Sequence, residues 1–139
     1  MTQILADETL LAEVEYAFER AANAYGDITP KVLSRFYESY PNGRELFSSN
    51  AGGQLSLLEG NMVEETAFFL LGFCEGSQEA ETILTQSVPH HIQTLKVPMD
   101  AMTAFIDAFL FVVASKVDTS EPAAAALSQL RSALDPYLR

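Results

Sequence analysis

Apolar residues recur along most of this chain at intervals of three and four. From Glu8 to Tyr25, the positions Leu11, Val14, Phe18, Ala21 and Tyr25 share one face, and acidic residues fill much of the remainder. That period is the helical one. It predicts an amphipathic helix of about five turns, broken by Gly26-Asp27. Thr29-Pro30 reads as an N-cap followed by proline at the first helical position. The helix it opens carries Leu33, Phe36, Tyr37 and Tyr40 and stops before Pro41, which disfavours helix in the residue ahead of it. Pro41 to Phe47 reads as a tight turn or short helix, and Ser48 to Gly53 as a loop. A long helix follows from about Leu55 to Glu75. Leu58, Met62, Thr66, Phe69, Leu70 and Phe73 mark its inner side. Gly60 and Gly72 lie within it, each costing roughly 1 kcal/mol relative to alanine. Either would allow a neighbouring helix close approach.

Beyond Gly76-Ser77 comes a polar segment, then a stretch from Leu84 to Pro98 that holds both histidines of the chain. As a helix it places Leu84, Val88, His91 and Leu95 on one apolar face. His90 falls on the polar side with Gln86 and Thr94. A histidine aimed into an apolar interior needs a partner for its ring nitrogens. A carbonyl, a hydroxyl and a metal all qualify. The next helix, Asp100 to Lys116, is apolar on most sides through Met102, Phe105, Ile106, Phe109, Val112 and Val113, so it should be central. After a turn at Asp118 to Pro122, Leu127, Leu130, Ala133, Leu134 and Tyr137 form a last amphipathic face. No stretch alternates with period two, and there are no repeats. The pattern predicts one all-α domain over residues 1–139, with six or seven helices.

Composition narrows the function classes. The chain has 139 residues, 48% of them hydrophobic, which is enough for a sizeable core. A formal charge of -11 argues against nucleic-acid or anionic-membrane partners, because phosphates would be repelled. Met1 to Glu8 has neither a basic start nor an apolar run, so no secretory signal is expected. The apolar stretch Ala101 to Ala114 is broken by Asp107 and too short to span a bilayer. A cytoplasmic location follows as the expectation. The lone cysteine, Cys74, gives no disulfide and no zinc pattern, and reads as a small core residue. Glu64-Glu65 is a carboxylate pair whose members diverge around the helix by about 100°, as a solvated face does. What stands out is one inward histidine in a helical, phenylalanine-rich core.

Two segments in register resemble a known family. Val32 to Phe47 reads Val-Leu-Ser-Arg-Phe-Tyr-Glu-Ser-Tyr-Pro-Asn-Gly-Arg-Glu-Leu-Phe. This is similar to the globin pattern, in which an aromatic-proline pair precedes by six residues the phenylalanine that packs on the haem, here Phe47. His91 and Val97, six apart with Leu95 and Lys96 between, resemble the globin run from the iron-binding histidine to the valine of the next corner. Phe47 and His91 lie 44 positions apart, a separation that fits the family without a gap. Phe18 falls at the usual aromatic of the first helix.

The resemblance implies a globin-like fold of six to eight helices around non-covalent haem b, and a protein that binds or senses a diatomic gas. His91 would be the proximal iron ligand through a neutral imidazole nitrogen. Phe47, Leu95, Val97, Met102 and Phe105 would line the haem. Met62 and Thr66 would face the sixth position under Leu33, with Met62 also a candidate sixth ligand. A register slip at Gly60 would put Asn61 there instead. The chain departs from the family at several of these places. Met62 stands where His or Gln is usual, and Leu33 where bacterial globins commonly have tyrosine. Glu65 stands where many globins place a base near the haem propionates, a role left to Arg44 and Lys96. Any redox turnover would need an external partner. The competing reading is a haem-free globin-fold signalling module, probably a homodimer. A bilin-binding relative would need a cysteine placed for thioether attachment, which Cys74 does not suit.

Overall fold

The computed structural model describes residues 7–93 and 96–138, and among these there is no strand. Helix α1 spans Glu8–Tyr25. Its start is fixed by Asp7, whose carboxylate accepts the N–H groups of Thr9 and Leu10, both at 3.0 Å. Its buried positions are Leu10, Val14, Ala17 and Ala21. Leu11 and Phe18 sit half-buried on the flank of that face.

Helix α2 spans Thr29–Ser39, with Ile28 rather than Thr29 as the flanking residue. Thr29 is therefore already helical and does not cap. Asp27 takes over part of that work by accepting the Thr29 N–H at 2.9 Å. Helix α3 spans Gly43–Asn50 and runs through residues whose composition suggests a loop. The side chains of Ser49 and Asn50 both donate to the Leu46 carbonyl, at 3.1 and 2.9 Å. That local bonding adds side-chain donors to a carbonyl of the last full turn and holds these polar residues in the helix.

Helix α4 spans Leu55–Glu75 and ends at Gly76 in the left-handed region, φ 74°. Of its two internal glycines, only Gly72 permits a close approach. A Cβ there would lie 2.6 Å from Ser77 Oγ, whereas at Gly60 it would meet open space. The polar segment after α4 is helical rather than irregular. Ser77 caps α5, Gln78–Thr82, by accepting the Ala80 N–H at 3.1 Å. A π-helical turn, Ile83–Ser87, joins it to α6, Val88–Gln93.

Helix α7, Met99–Ala114, packs against α1, α2, α4 and α8, the last being Pro122–Leu134. Its near-continuous apolar surface has that central place as its cause. A short 3₁₀ turn, Asp135–Tyr137, follows α8. The core runs from Val14 and Phe109 through Leu70 and Phe73 to Leu130 and Leu134, all fully buried. Cys74 belongs to it, and burial pushes its thiol up to about 11. No helix among the described residues is long and apolar enough to cross a membrane.

Candidate functional site

A cavity of about 650 Å³ is walled by residues from α2, α3 and α4, the α5–α6 segment and α7. It has the size of a small-molecule or cofactor pocket. Three aromatics in tilted and edge-on contact form one end. Phe36 is fully buried, with Phe47 at 5.5 Å and Phe105 at 5.1 Å between ring centres. Phe36 can sit there only because Gly43 has no side chain, since a Cβ would come within 2.5 Å of its ring. Helix α4 adds Leu58, Met62, Thr66, Phe68 and Phe69. Helix α7 adds Ala101, Met102 and Ile106.

The remaining wall is the segment that carries the histidines. Pro89 lies at the second position of α6, where it has no N–H to donate and where, in a regular α-helix, its ring would clash with the carbonyl four residues earlier. The preceding turn is widened, with the Val88 N–H reaching Ile83 O, five residues back. A π-turn of this kind relieves the proline, and such turns recur at functional sites. Downstream of it, His91 lines the cavity while His90 is exposed.

The His91 ring is fixed by one hydrogen bond, Nδ1 to Ser87 O at 2.7 Å. A carbonyl can only accept, so Nδ1 carries the proton. In a neutral imidazole Nε2 is then the lone-pair nitrogen. No described residue gives Nε2 a hydrogen bond. His91 O also accepts the Val97 N–H at 2.8 Å, which ties the cavity-lining Val97 to the end of α6.

The predicted site residues therefore fall into three groups. His91, Phe47, Met62, Thr66, Val97, Met102 and Phe105 meet around one cavity. Leu33, Arg44 and Lys96 do not reach it. Leu33 is buried in the α2 core, Arg44 lies over the Tyr37 ring at 4.6 Å, and Lys96 is exposed with a left-handed φ of 58°. Asn61, the alternative to Met62, is exposed and outside the lining. Leu95 lies outside the described residues. Cys74 is likewise not in the wall.

Polar groups in the cavity are few. The Thr66 hydroxyl donates to Met62 O at 2.8 Å, so its proton is spent within α4. The Asn50 amide donates to Leu46 O. The charged residues of the lining are Glu65 and Glu79, both exposed, with no lysine or arginine beside them. Behind Phe47, Tyr37 Oη donates to Glu59 Oε2 at 2.5 Å. Burial, and after it the bond to Glu59, raise the Tyr37 phenol well above its ordinary value of 10.

The π-turn, the Gly43–Phe36 contact and the Tyr37–Glu59 pair were not expected from the apolar pattern. Pro89 beside the histidines was the available signal for the first. No three His, Cys, Asp or Glu side chains among the described residues could jointly hold a metal ion. A metal here would need most of its donors from a bound group. Compared with known proteins, the chain matches no family model, no curated protein and no solved structure.

Proposed function

We propose that this protein binds haem b in the aromatic cavity, with His91 as the proximal ligand, in a globin-like arrangement of its helices. One observation carries the reading. His91 has its Nδ1 proton committed to the Ser87 carbonyl, so its Nε2 lone pair is free in the wall of an apolar cavity of about 650 Å³. A porphyrin brings four nitrogens of its own, so one side-chain donor is enough. The hydrogen bond at the second nitrogen fixes the tautomer and ring orientation that a ligating histidine needs.

Phe47 and Phe105 offer flat apolar faces for the macrocycle, and Val97 and Met102 fill its flanks. Met62 and Thr66 stand ready on α4 for the sixth side. Haem would supply an iron with one open position for a diatomic gas. The chain would supply the His91 nitrogen to hold the group, aromatic walls against its faces, and an α4 side poor in donors. Oxygen is held by a hydrogen-bond donor, and Thr66 has none to spare. The residues thus favour weak oxygen retention relative to carbon monoxide.

The second reading, a haem-free interaction module, draws on the rim. Glu65 and Glu79 would oppose the two propionates, and neither Arg44 nor Lys96 lines the cavity to offset them. The deciding experiment is a haem titration of the purified protein followed by absorption. A Soret band that saturates at one haem per chain supports the first reading. Absence of any perturbed Soret band removes it in favour of the second, for which sedimentation should then show a dimer.

A further inference from the structure

On the far side of α2 and α7 from the aromatic cavity is a shallow cleft of about 240 Å³. Two of the chain's eight lysines and arginines, Lys31 and Arg35, line it, and a third, Lys116, stands at its rim over the lining Tyr25. The ammonium groups of Lys31 and Lys116 stand 5.2 and 5.3 Å from the centre of one ring, Tyr25. The Arg35 guanidinium lies 3.9 Å from the centre of Phe111, which is itself 53% exposed. None of these three cations has a carboxylate ion pair among the described residues, although the chain carries 19 acidic side chains. Glu38 is the one acid in the cleft wall. Asp27 and Asp118, the acids nearest Lys31 and Lys116 in sequence apart from the wall, lie outside the cleft lining and accept the N–H groups of Thr29 and Ser120. Within the cleft and at its rim, three cations thus face one carboxylate, on a molecule of net charge -11.

Unpaired cations held over aromatic faces are preorganised for an anion. The exposed Phe111 edge next to a flat guanidinium suits a planar ring. A phosphate alone would leave Phe111 unused, and a neutral ring would leave the lysines unused. We infer that this cleft binds a nucleoside phosphate, with Lys31, Lys116 and Arg35 on the phosphate and the base against Phe111. The inference is independent of haem.

The test is calorimetric titration of the full chain with AMP, adenosine and inorganic phosphate, at low and at physiological ionic strength. AMP should bind at least about tenfold more tightly than either part alone, and more weakly as salt rises. Amide NMR shifts should centre on Arg35 and Phe111. Lys31 and Lys116 are exposed, so the K31A/K116A double variant keeps the fold while weakening AMP by at least about tenfold. Phe111→Ala should weaken AMP and leave phosphate unchanged. No AMP binding, adenosine binding as tightly as AMP, phosphate binding as tightly as AMP, or an unchanged affinity in the double variant would each overturn the assignment.

Discussion

At the scale of single residues, the chemistry rests on which proton each polar group has already given away. The Thr66 hydroxyl is spent on Met62 O, so the sixth side of the proposed haem offers a gas ligand no donor from α4. Replacing Met62 with glutamine adds an amide donor at a lining position. Oxygen dissociation, measured by stopped flow, should slow by about tenfold, the worth of one hydrogen bond of roughly 1.4 kcal/mol. An unchanged rate would mean that Met62 does not face the ligand. Met62→Leu should leave the ferrous spectrum five-coordinate if methionine only packs, and convert it from six- to five-coordinate if its sulfur ligates.

Two other residues give predictions on stability and reactivity. Tyr37 donates to Glu59, and its phenol titrates above its ordinary value of 10 because burial and that acceptor favour the protonated form. A group whose pKa is raised on folding contributes stability that is complete below its unfolded value and is lost as pH rises toward the folded one. The stability contributed by Tyr37 should therefore decline above about pH 10. Tyr37→Phe should lower stability by about 1 kcal/mol near neutral pH through the lost hydrogen bond, and should flatten the alkaline decline in thermal melts. Cys74 is fully buried with its thiol pushed up to about 11. Thiol reagents should label it only on unfolding; rapid labelling of the native protein would show that α4 opens there.

At the scale of elements, much was legible in the sequence because helix boundaries depend on local chemistry. Gly26, Gly76 and Pro41 punctuate the chain where composition places them, and α1 and α4 have the expected bounds. What escaped was non-local or competed with composition. Ser49 and Asn50 look like loop residues, yet they prolong α3 by bonding back to Leu46. Leu33 shares the apolar face of α2, but periodicity cannot tell a core-facing position from a cavity-facing one, and it faces the core. The same limit applies to Arg44, whose reach toward Tyr37 depends on the α2–α3 angle.

That angle is set by Gly43 against Phe36. Gly43→Ala would drive a methyl into a fully buried ring that packs tilted against Phe47 and edge-on against Phe105. Overpacking of this kind costs about 1 to 3 kcal/mol. Urea denaturation should report that loss, along with weaker haem uptake because the aromatic end of the cavity must shift.

At the scale of the whole molecule, charge and cavity pull against each other. A protein of net charge -11 with Glu65 and Glu79 in its cavity lining is an unhelpful host for a dianionic porphyrin. Haem would then be held by the axial bond and apolar contact rather than by its propionates. Transfer of haem to an excess of an apo-acceptor protein should be fast for the parent chain. It should slow by several-fold in a Glu65→Gln/Glu79→Gln variant, since two exposed repulsions are each worth only about 0.5 kcal/mol. An unaltered transfer rate would show that the propionates lie elsewhere.

The proposed haem site stands or falls with His91, because no other lining residue is fixed by a hydrogen bond that leaves a nitrogen lone pair for iron. The most direct measurement is a side-by-side haem titration of the parent chain, His91→Ala and His90→Ala, read in the Soret region. The parent and His90→Ala should give the same band at one haem per chain, and His91→Ala should lose it or shift it sharply. Loss of the band in His90→Ala with its retention in His91→Ala would contradict the assignment of His91, and no band in any of the three would contradict haem binding itself.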